Sequence, residues 1–422
     1  MLQYLKYKLV ILTLLITANP VLAINEDSKE IKFPTLGAVG NINYQSFYEN
    51  NPNIVISGDS NYWAAHHNAL FSHLIFGNEW ADIIVVESNM LGRIINRIDA
   101  IDLESMNIDG LTNIPERIKI KGRDLSGELH AIPLTLGVST LFYRQDVITQ
   151  KNTSINNVIS DWDSFIEFGR ELKNDDIKLI NNASSIIPVI IESDLNGSNY
   201  LYFDNQLKLN IKNERVVKAF ELANLIFKED LSAETGLWNT QWYDSFRAKD
   251  ATVFSEINGE SLIGHLKGWI GGSNSGVWRL SVLPENDAGL FNGFDLIVPS
   301  TTALKDEVAL LLNFLFDGDS ILERFNKMDF FPATQSLYTH ADFNKEVEYF
   351  GNQRIYQAVI KNAGNLSEFK STPYDYFIRL KLMQTFEKVI HDEMSIDEAL
   401  SKVELLTIEY ITKTEYQAGE QK

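Results

Sequence analysis

Short apolar runs and longer amphipathic stretches alternate along this chain. Ile54-Val55-Ile56 and Ile83-Ile84-Val85-Val86 are β-branched and uninterrupted by polar residues, the pattern of strands covered on both faces. Between them, residues 62–76 are long enough for a helix, with Ala65, Ala69, Phe71 and Ile75 as its expected buried side. Together these predict one βαβ unit. Ser160-Asp161-Trp162-Asp163 reads as a helix-capping box, and Trp162, Phe165, Ile166 and Leu172 follow at helical spacing. A second box, Ser395 to Glu398, opens a helix carrying Leu400, Val403 and Leu406. Val308, Leu311, Leu312 and Leu315 form a further stripe just after the strand-like Leu296-Ile297-Val298-Pro299. Alternation of this kind predicts an α/β protein with mainly parallel sheets. No internal repeat or low-complexity tract interrupts it, and no flexible linker marks a simple boundary.

The N-terminus departs from this pattern. Lys6 and Lys8 precede the apolar run Leu9 to Ile16, and Pro20 breaks it before Val21-Leu22-Ala23, which is the layout of a cleaved export signal over residues 1–23. The run is too short for a membrane span, which needs about 20 apolar residues. The chain has no cysteine, so neither a lipid anchor at the cleavage site nor a disulfide framework is expected. A free, soluble protein of a Gram-negative periplasm is the expected product, and the sequons at Asn182 and Asn196 read as chance.

A length of 422 residues predicts two lobes, each able to bury a core. The net charge of −20 becomes −22 once Lys6 and Lys8 leave with the signal. Such a field disfavours nucleic acid and anionic lipid surfaces, whose binding draws on clustered Lys and Arg. Catalytic motifs are lacking: there is no Gly-x-Ser-x-Gly elbow, His-Glu-x-x-His helix, Walker loop or Gly-x-Gly-x-x-Gly fingerprint. The glycine-rich stretch 271–276 has no phosphate-loop lysine and reads as a surface loop. His66, His67 and His73 share a stretch of helix, but no cysteine or patterned carboxylate completes a metal shell, so no metal or other cofactor is expected. The Asp175-Asp176 pair reads as solvated charge after a helix rather than a glycosidase dyad.

Several segments, in order, carry a resemblance. Trp80-Ala81-Asp82-Ile83-Ile84-Val85-Val86-Glu87-Ser88-Asn89, Gly127 to Leu134 running into Ser139 to Arg144, Ala251 to Gly259, Phe331-Pro332-Ala333-Thr334 and Ile396 to Leu400 are similar to the matching segments of carbohydrate-type extracellular solute-binding proteins of ABC importers, the relatives of maltose-binding protein. The resemblance covers nearly all of the chain after the signal. It implies a two-lobed periplasmic binding protein fold with a hinge and an interlobe ligand cleft. It also implies a receptor that delivers a sugar or oligosaccharide to inner-membrane permease subunits, as a monomer and without catalysis. Crossovers at Pro133 to Ser139 and Gly293 to Leu296 give lobe one as residues 24–136 plus 294–331, and lobe two as 137–293 plus 332–422. Two departures weigh against maltose itself. Gly259 is followed by Glu260 and Ser261 rather than aromatics, and Glu87-Ser88-Asn89-Met90 stands where the maltose binder has an Asp-Arg pair.

Ligands of open α/β sheets bind beyond strand ends, which makes Asp59, Tyr62, Trp63, Glu87, Ser88 and Asn89 the site candidates of the first lobe. The second lobe offers Glu256, Asn258 and Glu260, with Tyr374, Tyr376 and Arg379 from a late segment. Carboxylates and amides suit sugar hydroxyls, and aromatic faces suit the C–H faces of a ring. Acids and aromatics suit a polyamine or other cation as well, which is the alternative ligand class. A periplasmic carbohydrate-acting enzyme is a more distant alternative. With four acids set against Arg379 alone, an anionic ligand is expected to be repelled.

Overall fold

The computed structural model describes residues 28–61, 63–76, 80–193, 195–236, 239–247, 252–254, 262–270, 274–290 and 293–420. The expected export signal lies outside the described residues, as do Tyr62, Glu256, Asn258 and Glu260.

Eleven strands are seen among the described residues: β1 Lys29–Lys32, β2 Thr35–Leu36, β3 Ile54–Ser57, β4 Ser60–Asn61, β5 Ile84–Glu87, β6 Ala131–Thr135, β7 Leu141–Arg144, β8 Lys178–Ile180, β9 Thr252–Phe254, β10 Trp278–Ser281 and β11 Phe294–Ile297. The first lobe is built on β5-β11-β6, with the β1-β3 pair alongside. The Lys32 carbonyl at the end of β1 accepts from the Asp82 and Ile83 amides just ahead of β5, so β1 stands between β3 and β5. The second lobe is built on β10-β7-β9-β8.

Pairing corrects the expectation of mainly parallel sheets. β1-β3, β2-β4 and β8-β9 are parallel, but β11 runs antiparallel to both β5 and β6, and β7 runs antiparallel to both β10 and β9. The chain's path explains this. It leaves the first sheet along β6, enters the second along β7, returns along β10 and re-enters the first along β11, so each returning strand opposes its neighbours. The two connections lie side by side: Ser139 donates its amide to the Gly289 carbonyl at 2.9 Å, and Val138 bridges Leu290.

Helices cover the sheets. In the first lobe, Lys305–Leu315 buries Val308, Leu311, Leu312 and Leu315 completely, each worth about 1.5–3 kcal/mol of transfer from water. In the second lobe, Trp162–Lys173 buries Trp162, Phe165, Ile166 and Leu172, and Ile396–Glu420 buries Leu400 and Val403. The Ser395-Glu398 box forms as expected, with the Glu398 carboxylate accepting from the Ser395 amide at 2.8 Å. The first box is displaced by one residue, because the Asp161 carboxylate takes the Ser164 amide at 2.6 Å and serves as the N-cap. No helix among the described residues is long and apolar enough to cross a membrane.

The helix Trp63–Phe76 forms, but its buried face is not the expected one. His66, His67, Leu70 and His73 point inward, whereas Ala65 is exposed and Phe71 half-buried. Specific partners make this possible: the His66 Nε2 lies 2.8 Å from the Val85 carbonyl, and its ring meets Trp80 edge-on at 5.3 Å. Burial holds the His66 pKa below its ordinary value. Its ring therefore braces β5 by hydrogen bonding and packing.

Candidate functional site

A cleft opens where β5 ends. Its first wall begins at Ser88–Met90, a single tight turn after β5, and continues into the short helix Leu91–Ile95. The Ser88 amide donates to the Gly293 carbonyl at 2.9 Å, and its hydroxyl donates to Asp295 Oδ2 at 2.6 Å. A Cβ at Gly293 would lie 2.7 Å from the Ser88 Oγ and 2.9 Å from the Thr135 carbonyl oxygen, so only glycine lets the returning chain pass here. Asn89 and Arg93, four residues apart, face the cleft together. The Arg93 guanidinium sits 4.2 Å from the Phe71 ring centre and 5.8 Å from that of Tyr376.

The floor is a buried set of charges. Lys121 Nζ lies 3.9 Å from Glu192 Oε2 and 3.9 Å over the Phe369 ring. Burial lowers its pKa, while Glu192 and Asp295 pull it back up. Glu192 Oε2 also accepts from the Leu290 amide at 2.9 Å. Burial pushes the Asp295 carboxyl up to about 6, against the opposing effects of the Ser88 hydrogen bond and the Lys121 charge.

The second wall comes from Tyr202 and from the segment entering the helix Asp375–Ile390. Thr372 gives Asp375 two hydrogen bonds, from its amide at 2.7 Å and its hydroxyl at 2.6 Å. Desolvation still pushes Asp375 up to about 7. Tyr376 and Arg379 are one turn apart, share a helix face and both line the cleft. The walls touch where a Cβ on Gly92 would lie 2.4 Å from the Thr372 carbonyl oxygen.

Four of the residues expected from the sequence meet in this cleft: Ser88, Asn89, Tyr376 and Arg379. Tyr374 turns instead into the second-lobe core, meeting Phe203 at 6.1 Å and Tyr410 edge-on at 6.3 Å. Asp59 is exposed in the turn between β3 and β4, where its carbonyl accepts from the Thr35 amide. Glu87 closes β5 opposite Phe294, half-buried and outside the lining, and Trp63 is the first residue of its helix.

Arg93, Lys121, Glu192, Phe369 and Asp375 were not among the residues expected. Two of them left a local signal: Arg93 falls four residues after Asn89, and Thr372-Pro-Tyr-Asp375 has the spacing of a capping box. Lys121 and Glu192 meet only through the tertiary fold. Arg93 and Lys121 add cations to the described part of the site, while two of the expected acids, Glu256 and Glu260, lie outside the described residues. The two acids that line the cleft among the described residues, Glu192 and Asp375, and Asp295 beside Ser88 are already engaged by protein groups, while Arg93 and Lys121 join Arg379 on the positive side. Elsewhere, Asp124, Glu128 and His130 have ligand atoms within 4.8 Å of one another. Asp124 Oδ1 there accepts from the Ser126 hydroxyl and the Gly127 and Glu128 amides, which closes a turn.

Residues 55–351 match the family model described as bacterial extracellular solute-binding protein. The chain belongs to that family. A lactose-binding protein of Rhizobium radiobacter is 26% identical over 258 residues, 57% of this chain and 58% of the relative; the match thus spans little more than half of that relative's length. Among solved structures, one of an extracellular solute-binding protein family 1 superposes with a TM-score of 0.78 at 20% identity, covering 90% of this chain and 99% of the other. The galacto-N-biose/lacto-N-biose I-binding protein of a Bifidobacterium longum ABC transporter, solved with lacto-N-biose, gives 0.76 at 13% identity, covering 92% and 98%. These likenesses establish the two-lobed fold of extracellular solute-binding proteins, and the cleft described above lies between its lobes.

Proposed function

We propose that the chain is a periplasmic receptor that closes on a sugar or oligosaccharide and presents it to the permease subunits of an inner-membrane ABC importer. The observation that carries this reading is the cleft between the lobes of a solute-binding family member, which combines hydrogen-bonding groups of Ser88, Asn89, Arg93 and Arg379 with the rings of Tyr202, Phe369 and Tyr376. Polar groups and ring faces together match a carbohydrate's hydroxyls and C–H faces. The lactose-binding relative and the lacto-N-biose complex support the ligand class. A polyamine is disfavoured, because its ammonium groups need free carboxylates and those of the cleft's described residues are engaged.

The receptor acts without turnover, as a free monomer released by removal of residues 1–23. Residues 24–136 with 294–331 form lobe one, and 137–293 with 332–422 form lobe two. Hinge motion follows from differential affinity: a ligand that touches both walls favours the closed form. A carbohydrate panel tested by thermal shift on the purified protein should yield a binder. At a ligand concentration 100 times its Kd the gain in stability is about 2.7 kcal/mol, and X-ray scattering should show a smaller radius of gyration. Binding without any compaction would count against hinge closure, and hydrolysis of the bound sugar would turn the reading to an enzyme.

A further inference from the structure

The cleft separates its charges into two kinds. Asp295 is bonded to Ser88, Asp375 to Thr372, and Glu192 to the Leu290 amide with Lys121 beside it. Among the described residues, each of these acids has a protein partner. Arg93 and Arg379, which flank Tyr376, enter no ion pair among the described residues, although the chain has 57 acids to 37 bases. Arg93 Nε is also shut off from water and has no hydrogen-bond partner, and the same holds for the carboxamide oxygen of Asn89 one turn before it. A buried donor and a buried acceptor left unmatched are unfavourable unless a ligand meets them. What meets them must bring an acceptor to a guanidinium and a donor to an amide oxygen.

Resting on the sugar-receptor reading above, we infer that the ligand is an acidic carbohydrate, whose carboxylate or sulfate group sits between Arg93 and Arg379 while a hydroxyl donates to Asn89. A guanidinium offers a planar fork that matches the oxygens of either anion. The protein's overall negative charge does not oppose this at short range, since it is spread over the surface and screened beyond about 10 Å at 0.1 M salt. A neutral disaccharide would satisfy Asn89 but leave both guanidiniums without a counter-charge.

The test uses the full mature chain and calorimetry with four probes: digalacturonate, a 6-sulfated galactose disaccharide, and the neutral β-1,6-galactobiose and lactose. At least one acidic probe should bind at least about tenfold more tightly than either neutral one, equivalent to the contribution of one charge-assisted contact. Its affinity should fall about tenfold or more from low to high salt, a measurement on the parent protein that needs no variant. R93Q and R379Q should each weaken it about tenfold or more with unchanged apo melting temperatures, and R93K should restore only part of the loss. The two acidic arms distinguish carboxylate from sulfate. Neutral probes binding as tightly as acidic ones, without salt dependence, would overturn the acidic-ligand assignment and leave the sugar receptor standing. Failure of all four, with binding of a non-carbohydrate solute instead, would overturn both.

Discussion

The floor and the rim of the cleft treat charge in opposite ways. On the floor, Lys121, Glu192 and Asp295 are each less than 10% exposed and are set among one another, Phe369 and the Leu290 amide. On the rim, Arg93 and Arg379 are half-buried and pair with no acid among the described residues, and Arg93 stands near the Tyr376 ring. A charge buried without a partner carries a large desolvation penalty, so the floor has to be settled within the protein before any ligand arrives. The rim is only half-buried, so its guanidiniums are not fully desolvated before a ligand arrives. The floor is thus part of the fold's scaffold, and on the proposed reading the rim is where the ligand is recognised.

The largest effect should come from the floor. Lys121→Ala leaves Glu192 and Asp295 without their cation and removes the contact with Phe369, and should lower unfolding stability by about 3–5 kcal/mol in a denaturant titration. Arg379→Gln should change stability by no more than about 0.5 kcal/mol. If the two variants were equally stable, the division between floor and rim would fail.

Acidity should sharpen the division next. Asp375 near 7 and Asp295 near 6 both stand above their ordinary value of 3.8, so the native state binds more protons than the unfolded one between about pH 4 and 7. Their contribution is fully present below that window and is lost as pH rises through it. Glu104 and Glu116 work the other way: Arg123 holds both below the usual range, and their contribution is lost as pH falls through their folded values. Stability should therefore peak near about pH 4, where the two opposing slopes cross. Asp375→Asn, which keeps the shape and a partner for Thr372, should flatten the decline from pH 5 to 8 by about 2 kcal/mol in thermal melts.

The smallest effect lies far from either region. Ser395→Ala removes the hydroxyl that accepts the Glu398 amide at 3.2 Å and should lower stability by about 1 kcal/mol. Its ligand affinity should match the parent's. A change in affinity there would mean that the cap at the last helix is coupled to the cleft.

Local chemistry was readable in the sequence and distant pairing was not. The Ser395-Glu398 box, the buried leucines of Lys305–Leu315 and the strands at Ile54 and Ile84 all follow from neighbours a few residues apart. The inward turn of His66 does not, because its hydrogen bond to Val85 and its contact with Trp80 arise only when helix and strand pack. The direction of β11 likewise depends on the chain's excursion through the second lobe. The cation of the cleft floor is also a matter of the fold, since Lys121 reaches Glu192 and Phe369 only when distant segments pack. Tyr376 and Arg379 were legible because a shared helix face is a matter of spacing alone.

In the proposed closure, the near contact of Gly92 with the Thr372 carbonyl would act as the stop on a pair of jaws. Backbone meets backbone there, so the narrowest gauge of the closed mouth is fixed by rigid main chain rather than by side chains that can swing aside. Bulk added at that stop would prop the jaws ajar and reduce the fraction of molecules able to grip, weakening apparent affinity by that fraction without touching the cargo. Selection by thickness is in this way separated from selection by charge, and the two can drift independently as the protein adapts to new cargo.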